Sequence, residues 1–183
     1  MQQIIKTMKR LFFFSLFVTL VVSLSAVSPS GTLPVLYIQT ENNAPIVSKE
    51  DYINATYYLD AMGLAGYQSI GSASTPLTME IKGRGNYTWR DFNKKPYRLK
   101  LSEKQPLMGM TKSKHFALLA HADDALNKKG FMRNQVGFEL SRMIGMAWTP
   151  ATAPVEVVLN GDYIGLYFLT ETIRVDKKRV NIV

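Results

Sequence analysis

Cysteine is absent from all 183 residues, and that one absence removes several classes of function. The chain can carry no disulfide framework, no thiolate zinc site, no cysteine nucleophile and no lipid-bearing cysteine. An exported form must therefore be stable from its core alone. Histidine occurs only at His115 and His121, too few to complete a histidine metal site. No Gly-x-Ser-x-Gly elbow, His-Glu-x-x-His pair or EF-hand loop is present. A self-contained hydrolase has little support. Internal repeats, heptads and low-complexity tracts are missing as well.

Acidic residues are scarce at the beginning: none precedes Glu41. Lys6, Lys9 and Arg10 instead form a basic start, and residues 11–22 are apolar but for Ser15 and Thr19. That run is short of the ~20 apolar residues that cross a bilayer comfortably. Small residues follow at Ser23, Ser25 and Ala26. Together these parts predict a secretory signal peptide over 1–25, with an uncleaved anchor as the alternative. The rest, 26–183, reads as one domain, exported to the periplasm, cell surface or medium, with no stable membrane anchor after cleavage. The formal charge is +8. Taking three basic residues from 22 leaves 19 against 14 acidic, near +5. That is moderate, and does not by itself imply nucleic acid or membrane as a partner.

The mature part reads as strands with one helix. Residues 33–40 (LPVLYIQT) are β-rich, 52–60 lean to strand, and 63–75 form a glycine- and serine-rich excursion. Strict alternation over 77–83 and 96–101 predicts half-buried strands, and 115–120 a buried one. Phe131, Met132, Val136, Leu140, Met143 and Ile144 recur at helical spacing, with Gly145 at the C-cap position and Asn127 or a neighbour as N-cap. Residues 154–159 and 163–170 flank Asn160-Gly161, a tight-hairpin dipeptide. The expected fold class is α+β: a mixed, mainly antiparallel sheet with the one main helix against a face. The chain closes on apolar Ile182-Val183, where a frayed polar end is usual, and so reads as cut short. If Ile164, Tyr167, Leu169 and Val183 normally face a second lobe, they would form an exposed apolar patch.

Chemistry concentrates in two segments. In residues 82–89 two glycines flank Arg84 directly after a strand. The backbone there can approach an anion, and the guanidinium can fork onto phosphate or carboxylate. From spacing alone, a plain glycine-bearing turn is the favoured reading. Residues 94–101 (KKPYRLKL) line cations along a strand. A strand lysine facing a helix-borne glutamate holds nucleotide phosphates in kinase-like sites, and Glu139 could be that partner for Lys95; the alternative is a solvated strand face. His121, Asp123 and Asp124 read as a polar loop. A nucleic-acid binder is weak, since export and dispersed aromatics leave no stacking platform beyond Trp89 and Tyr97.

Taken in order, these segments resemble the CotH kinase family, named for spore coat protein H. The resemblance rests on residues 81–89 (IKGRGNYTW), 94–101, 115–120 (HFALLA), Asp123-Asp124, Met132-Arg133-Asn134, Thr149-Pro150 and 158–171 (VLNGDYIGLYFLTE). It covers residues 34–183, and the overall style is similar to secreted members from Bacteroidetes-type bacteria. The resemblance implies an atypical protein-kinase-like fold that uses ATP and Mg2+ to phosphorylate proteins. Arg84 and Lys95 would then contact phosphate, Arg133 and Asn134 would be structural or nucleotide-facing, and Glu171 would approach the hinge. The partner would be a protein substrate or a missing C-terminal lobe. The family's catalytic and metal-binding aspartates normally follow the hairpin and have no counterpart here, so the chain as given is expected to lack kinase activity. A non-catalytic secreted module with a basic face for an anionic partner is the competing expectation.

Overall fold

In the computed structural model residues 27–120 and 132–182 are described. The predicted signal peptide, His121, Asp123, Asp124, the Asn127 cap and Phe131 lie outside them. Seven strands run β1 (Val35–Thr40), β2 (Ile53–Asp60), β3 (Leu77–Gly83), β4 (Tyr97–Gln105), β5 (Ser113–Leu119), β6 (Thr152–Leu159) and β7 (Asp162–Glu171). Two helices accompany them, a short α1 (Tyr87–Asp91) and α2 (Arg133–Met143). The strands form a closed barrel in the order β1-β2-β3-β4-β5-β7-β6. Every pairing is antiparallel except the closing one, where β6 runs parallel to β1 from Val35 opposite Glu156 to Ile38 opposite Leu159.

The closure corrects the α+β expectation. Alternation gives each strand an apolar face that must leave water, as in Met79 and Ile81 of β3 and Leu99 and Leu101 of β4, all 2 % exposed or less. A helix could have covered such a sheet, but α2 buries no residue. Its predicted stripe, Val136, Leu140, Met143 and Ile144, is exposed. The sheet instead covers itself by curling until β6 meets β1, which also leaves no free edge. The core is therefore the barrel interior, from Leu36 and Tyr57 across to Phe116, Leu118 and Val157. Tyr167 and Leu169, expected to face a second lobe, point into that interior and are 1 % and 0 % exposed. The strand assignments themselves match to within a few residues. The helix after β3 was not foreseen.

The β6–β7 turn fastens the seam. Leu159 faces Asp162, so the loop is the two residues Asn160 and Gly161, with φ of 53° and 87°. Both are left-handed, as a type I′ turn demands, and Asn and Gly tolerate that region best. The Asn160 side-chain carbonyl also accepts from the Thr40 backbone N–H at 2.8 Å, and its backbone N–H donates to Ile38 O at 2.9 Å. The hairpin tip is thus tied to β1. Asn160→Ala should cost about 1–2 kcal/mol, from lost buried hydrogen bonds plus a left-handed alanine. In urea unfolding the midpoint should fall with an unchanged slope. Asn160→Gly should recover only the backbone share.

Candidate functional site

Alternation decides which cations face out. In the β3–β4 pairing Lys82 stands opposite Arg98, and Ile81 opposite Leu99. Ile81 and Leu99 fill the barrel, so Lys82 and Arg98 project outward. Arg84 continues the ladder by one bond, its N–H donating to Pro96 O at 3.1 Å. Gly85 then turns the chain at φ +87°, and a Cβ there would stand 2.6 Å from Thr88 Oγ1. Only glycine fits between β3 and α1.

Seven cations lie between Lys82 and Lys100, and five are engaged. Lys82 donates to Glu50 O at 2.8 Å, and Lys100 pairs with Glu80 at 2.5 Å. Arg90 pairs with Asp91 at 2.7 Å. Lys94 donates to Leu166 O at 2.5 Å with its ammonium 4.5 Å from the Tyr167 ring centre. Lys95 donates to Trp89 O at 2.6 Å and lies 5.7 Å from the centre of that indole. Arg84 and Arg98 remain. Neither has a carboxylate or hydrogen-bond partner for its side chain among the described residues. Both line one cleft of about 280 Å³, with Ala117, Phe138, Thr170 and Glu171 among its other walls. Burial lowers the Arg84 pKa from its ordinary value, and the neighbouring Arg98 charge lowers it further.

Two guanidiniums held near each other with no carboxylate paired to either are costly. The cost falls when an oxyanion enters and takes charge-assisted bonds from both. The larger groove on the outer side of β1–β3, about 580 Å³, is walled by Thr, Asn, Gln and Glu side chains and by no lysine or arginine. It offers an oxyanion nothing comparable.

The sequence-predicted residues are only partly brought together. Arg84 and Glu171 share the cleft. Glu171 accepts from Ala151 N–H at 3.0 Å and lies 3.7 Å from Arg179. Lys95 is not among the residues lining the cleft; it sits over Trp89, whose ring lies against Gly83 at the barrel end. Glu139 does not face a strand lysine. It pairs with Arg142 at 2.5 Å and accepts from Gln135 at 3.2 Å, both on its own helix. Arg133 and Asn134 are exposed at the start of α2, and neither lines the cleft. The helix reaches the cleft through Phe138 instead. Arg98 and Phe138 were not singled out from sequence. The period-two pattern of β4, which puts Arg98 opposite Lys82, was the signal available for the first. Nothing marked the second.

No cluster of three or more His, Asp or Glu residues that could hold a metal occurs among the described residues. No curated protein matches the chain. The family described as CotH kinase protein matches residues 81–183, from the strand that delivers Arg84 through the hairpin to the last residue. With more than half its length matched, the chain belongs to the CotH kinase family.

Proposed function

We propose that this chain is the phosphate-facing part of an exported protein kinase, and that Arg84 and Arg98 hold nucleotide phosphates in the cleft beside Glu171. Export is supported by the basic start and the short apolar run of residues 6–26. No described helix is long and apolar enough to cross a membrane. The observation that carries the phosphate assignment is the unpaired state of these two arginines in a shared cleft, when five neighbouring cations are all engaged. ATP would supply the transferable phosphoryl group, and a divalent metal would neutralise charge on it. The described residues fit the phosphates; they offer no carboxylate cluster for the metal. Within this reading the arginines bind and orient, and Phe138 and Ala117 narrow the space above them. Lys95 joins only if it leaves Trp89.

Binding of a fluorescent ATP analogue tests this directly. Arg84→Ala and Arg98→Ala should each weaken binding roughly ten-fold, the loss of one charge-assisted contact set. Lys95→Ala should leave it nearly unchanged. Binding that survives both arginine changes in folded protein would remove the assignment. The second reading, a non-catalytic module for an anionic partner, draws on the same unpaired arginines. It is separated by phosphoryl transfer: labelled phosphate moving from ATP to added protein supports the kinase, and anion binding with no transfer supports the module.

A further inference from the structure

The geometry points to a second oxyanion site, in the pocket between the start of β5 and the turn at residues 174–179, that takes a single phosphate monoester group. The pocket shares no lining residue with the arginine cleft. Its walls carry Lys104, Lys112, Lys114, Arg174 and Arg179 against one carboxylate, Asp176. Asp176 is already committed, its Oδ1 accepting from Lys178 N–H at 2.9 Å. Lys104, Lys112 and Arg174 have no ion pair or side-chain hydrogen bond among the described residues. Lys114 donates to Ser102 O.

Two groups give the pocket a fixed floor. Arg179 is 5 % exposed. Its Nη1 donates to Thr172 O at 2.7 Å and to Thr172 Oγ1 at 2.9 Å, and its Nη2 donates to His115 O at 3.2 Å. Of the five guanidinium hydrogens, three are used in these bonds; the one on Nε lies on the side of Glu171 Oε1 at 3.7 Å, and one on Nη2 is left over. His115 is the second group, with a buried Nδ1 that has no hydrogen-bond partner. Its pKa is pushed down to about 4 by burial first, then by Arg174, Arg98, Arg179 and Lys100. The imidazole is therefore neutral at neutral pH, able to donate or accept one bond, and placed among cations, with Asp176 the one carboxylate lining the pocket. An entering dianion would reverse that field.

Size narrows the ligand. The pocket measures about 170 Å³, against about 280 Å³ for the arginine cleft. A whole nucleotide does not fit, whereas one phosphate with a water or two does. A phosphate monoester carries close to two charges at neutral pH and three strong acceptor oxygens, the complement of a cation-lined pocket with free donors. A carboxylate brings half the charge and fewer acceptors.

The test is titration of the full chain with sodium phosphate at about pH 8, where the ligand is a dianion, against sodium chloride at matched ionic strength. The His115 ring resonances are followed by NMR and assigned by their loss in His115→Gln. Phosphate should saturate a shift of the His115 signals and raise the pH at which that ring titrates; chloride should do neither. The double variant Lys112→Ala/Arg174→Ala, both exposed residues, should weaken phosphate binding at least roughly ten-fold. Arg84→Ala, which lines only the other cleft and is not among the charges acting on His115, should leave it unchanged, whatever becomes of nucleotide binding there. A phosphoserine peptide binding tighter than inorganic phosphate identifies a modified side chain as the source, and weaker binding identifies free phosphate. An identical His115 response in chloride overturns the proposal. So does phosphate binding that the Lys112/Arg174 double variant leaves intact.

Discussion

Arg179→Ala should lower the stability of the barrel by about 3–5 kcal/mol, the cost of leaving one member of a buried ion pair without its partner. For a domain of this size that is a fall in Tm of roughly 10 °C. Arg179 and Glu171 are each 5 % exposed, so water does not replace what is lost. Glu171 keeps one bond, Oε2 accepting from Ala151 N–H at 3.0 Å. Its Oε1 has no hydrogen-bond partner, and the Arg179 Nε at 3.7 Å is the counter-charge beside it. The same change strands Thr172 O, leaves His115 O still accepting from Thr172 Oγ1 at 3.3 Å, and removes a cation 5.8 Å from the centre of the Phe116 ring. Adding Glu171→Gln to Arg179→Ala should return part of the loss, because the orphaned charge is then gone. Thermal melts of the two single variants and the double one separate the charge from the packing. Equal stability of Arg179→Ala and the unaltered protein would mean that Glu171 is solvated and the pair is ornamental.

That contact also shows why part of the fold was not legible. Local pattern was: the alternation of residues 77–83 and 97–101 fixes which side chains share a face, and Asn160-Gly161 fixes a two-residue hairpin. Pairing at long range was not. The β1–β6 contact joins Leu36 to Val157, 121 positions apart, and no local period records it. Without that pairing a sheet with one helix nearby reads as a sheet packed on the helix. The helical stripe of Val136, Leu140 and Ile144 strengthened that reading, because apolar residues at helical spacing normally mark a buried face. Here the spacing does make a helix, yet the strands satisfy their own inner face and leave the stripe exposed. Periodicity reports the element, and closure decides what the element covers.

The site divides along the same line. The place of Arg84, on a glycine-bearing turn directly after a strand, was legible from the alternation of residues 77–83 and the glycines on either side of it. Lys95 is assigned to the same region by the resemblance and by its place at the start of a lysine-bearing strand. In the structure Lys95 has a local partner in Trp89, which supplies both a carbonyl acceptor and an indole. Arg98 carries the better claim for a reason that sequence only half contains. Its outward direction follows from alternation with Tyr97 and Leu99, but its lack of a partner emerges only when the barrel brings Arg84 beside it. Glu171 could be ranked from the order of motifs. Its tie to Arg179 across a turn of seven residues could not.

Gly83→Val is the change expected to reach from the core to the cleft. A Cβ on Gly83 would lie 2.5 Å from the six-membered ring of Trp89, far inside contact distance, and valine adds two methyls beyond it. The indole has little room to retreat, since it meets Tyr97 edge-on at a centroid distance of 6.4 Å and Tyr97 leans on Tyr167 at 6.2 Å, both of them buried. Overpacking of this kind costs about 3 kcal/mol. A drop in the urea midpoint of that order is the first readout. The second is functional. Trp89 O is the acceptor that holds Lys95, and the indole lies beneath its ammonium, so moving the ring frees the lysine and disturbs the turn that carries Arg84. Under the nucleotide reading, Gly83→Val should therefore weaken ATP-analogue binding more than Lys95→Ala does. Trp89→Ala in the same background should restore stability in part by making room for the valine, while leaving Lys95 without its indole. If Gly83→Val destabilises the barrel but nucleotide binding is unchanged, Arg84 is positioned by β3 and Pro96 alone, and the α1 turn is packing rather than part of the site.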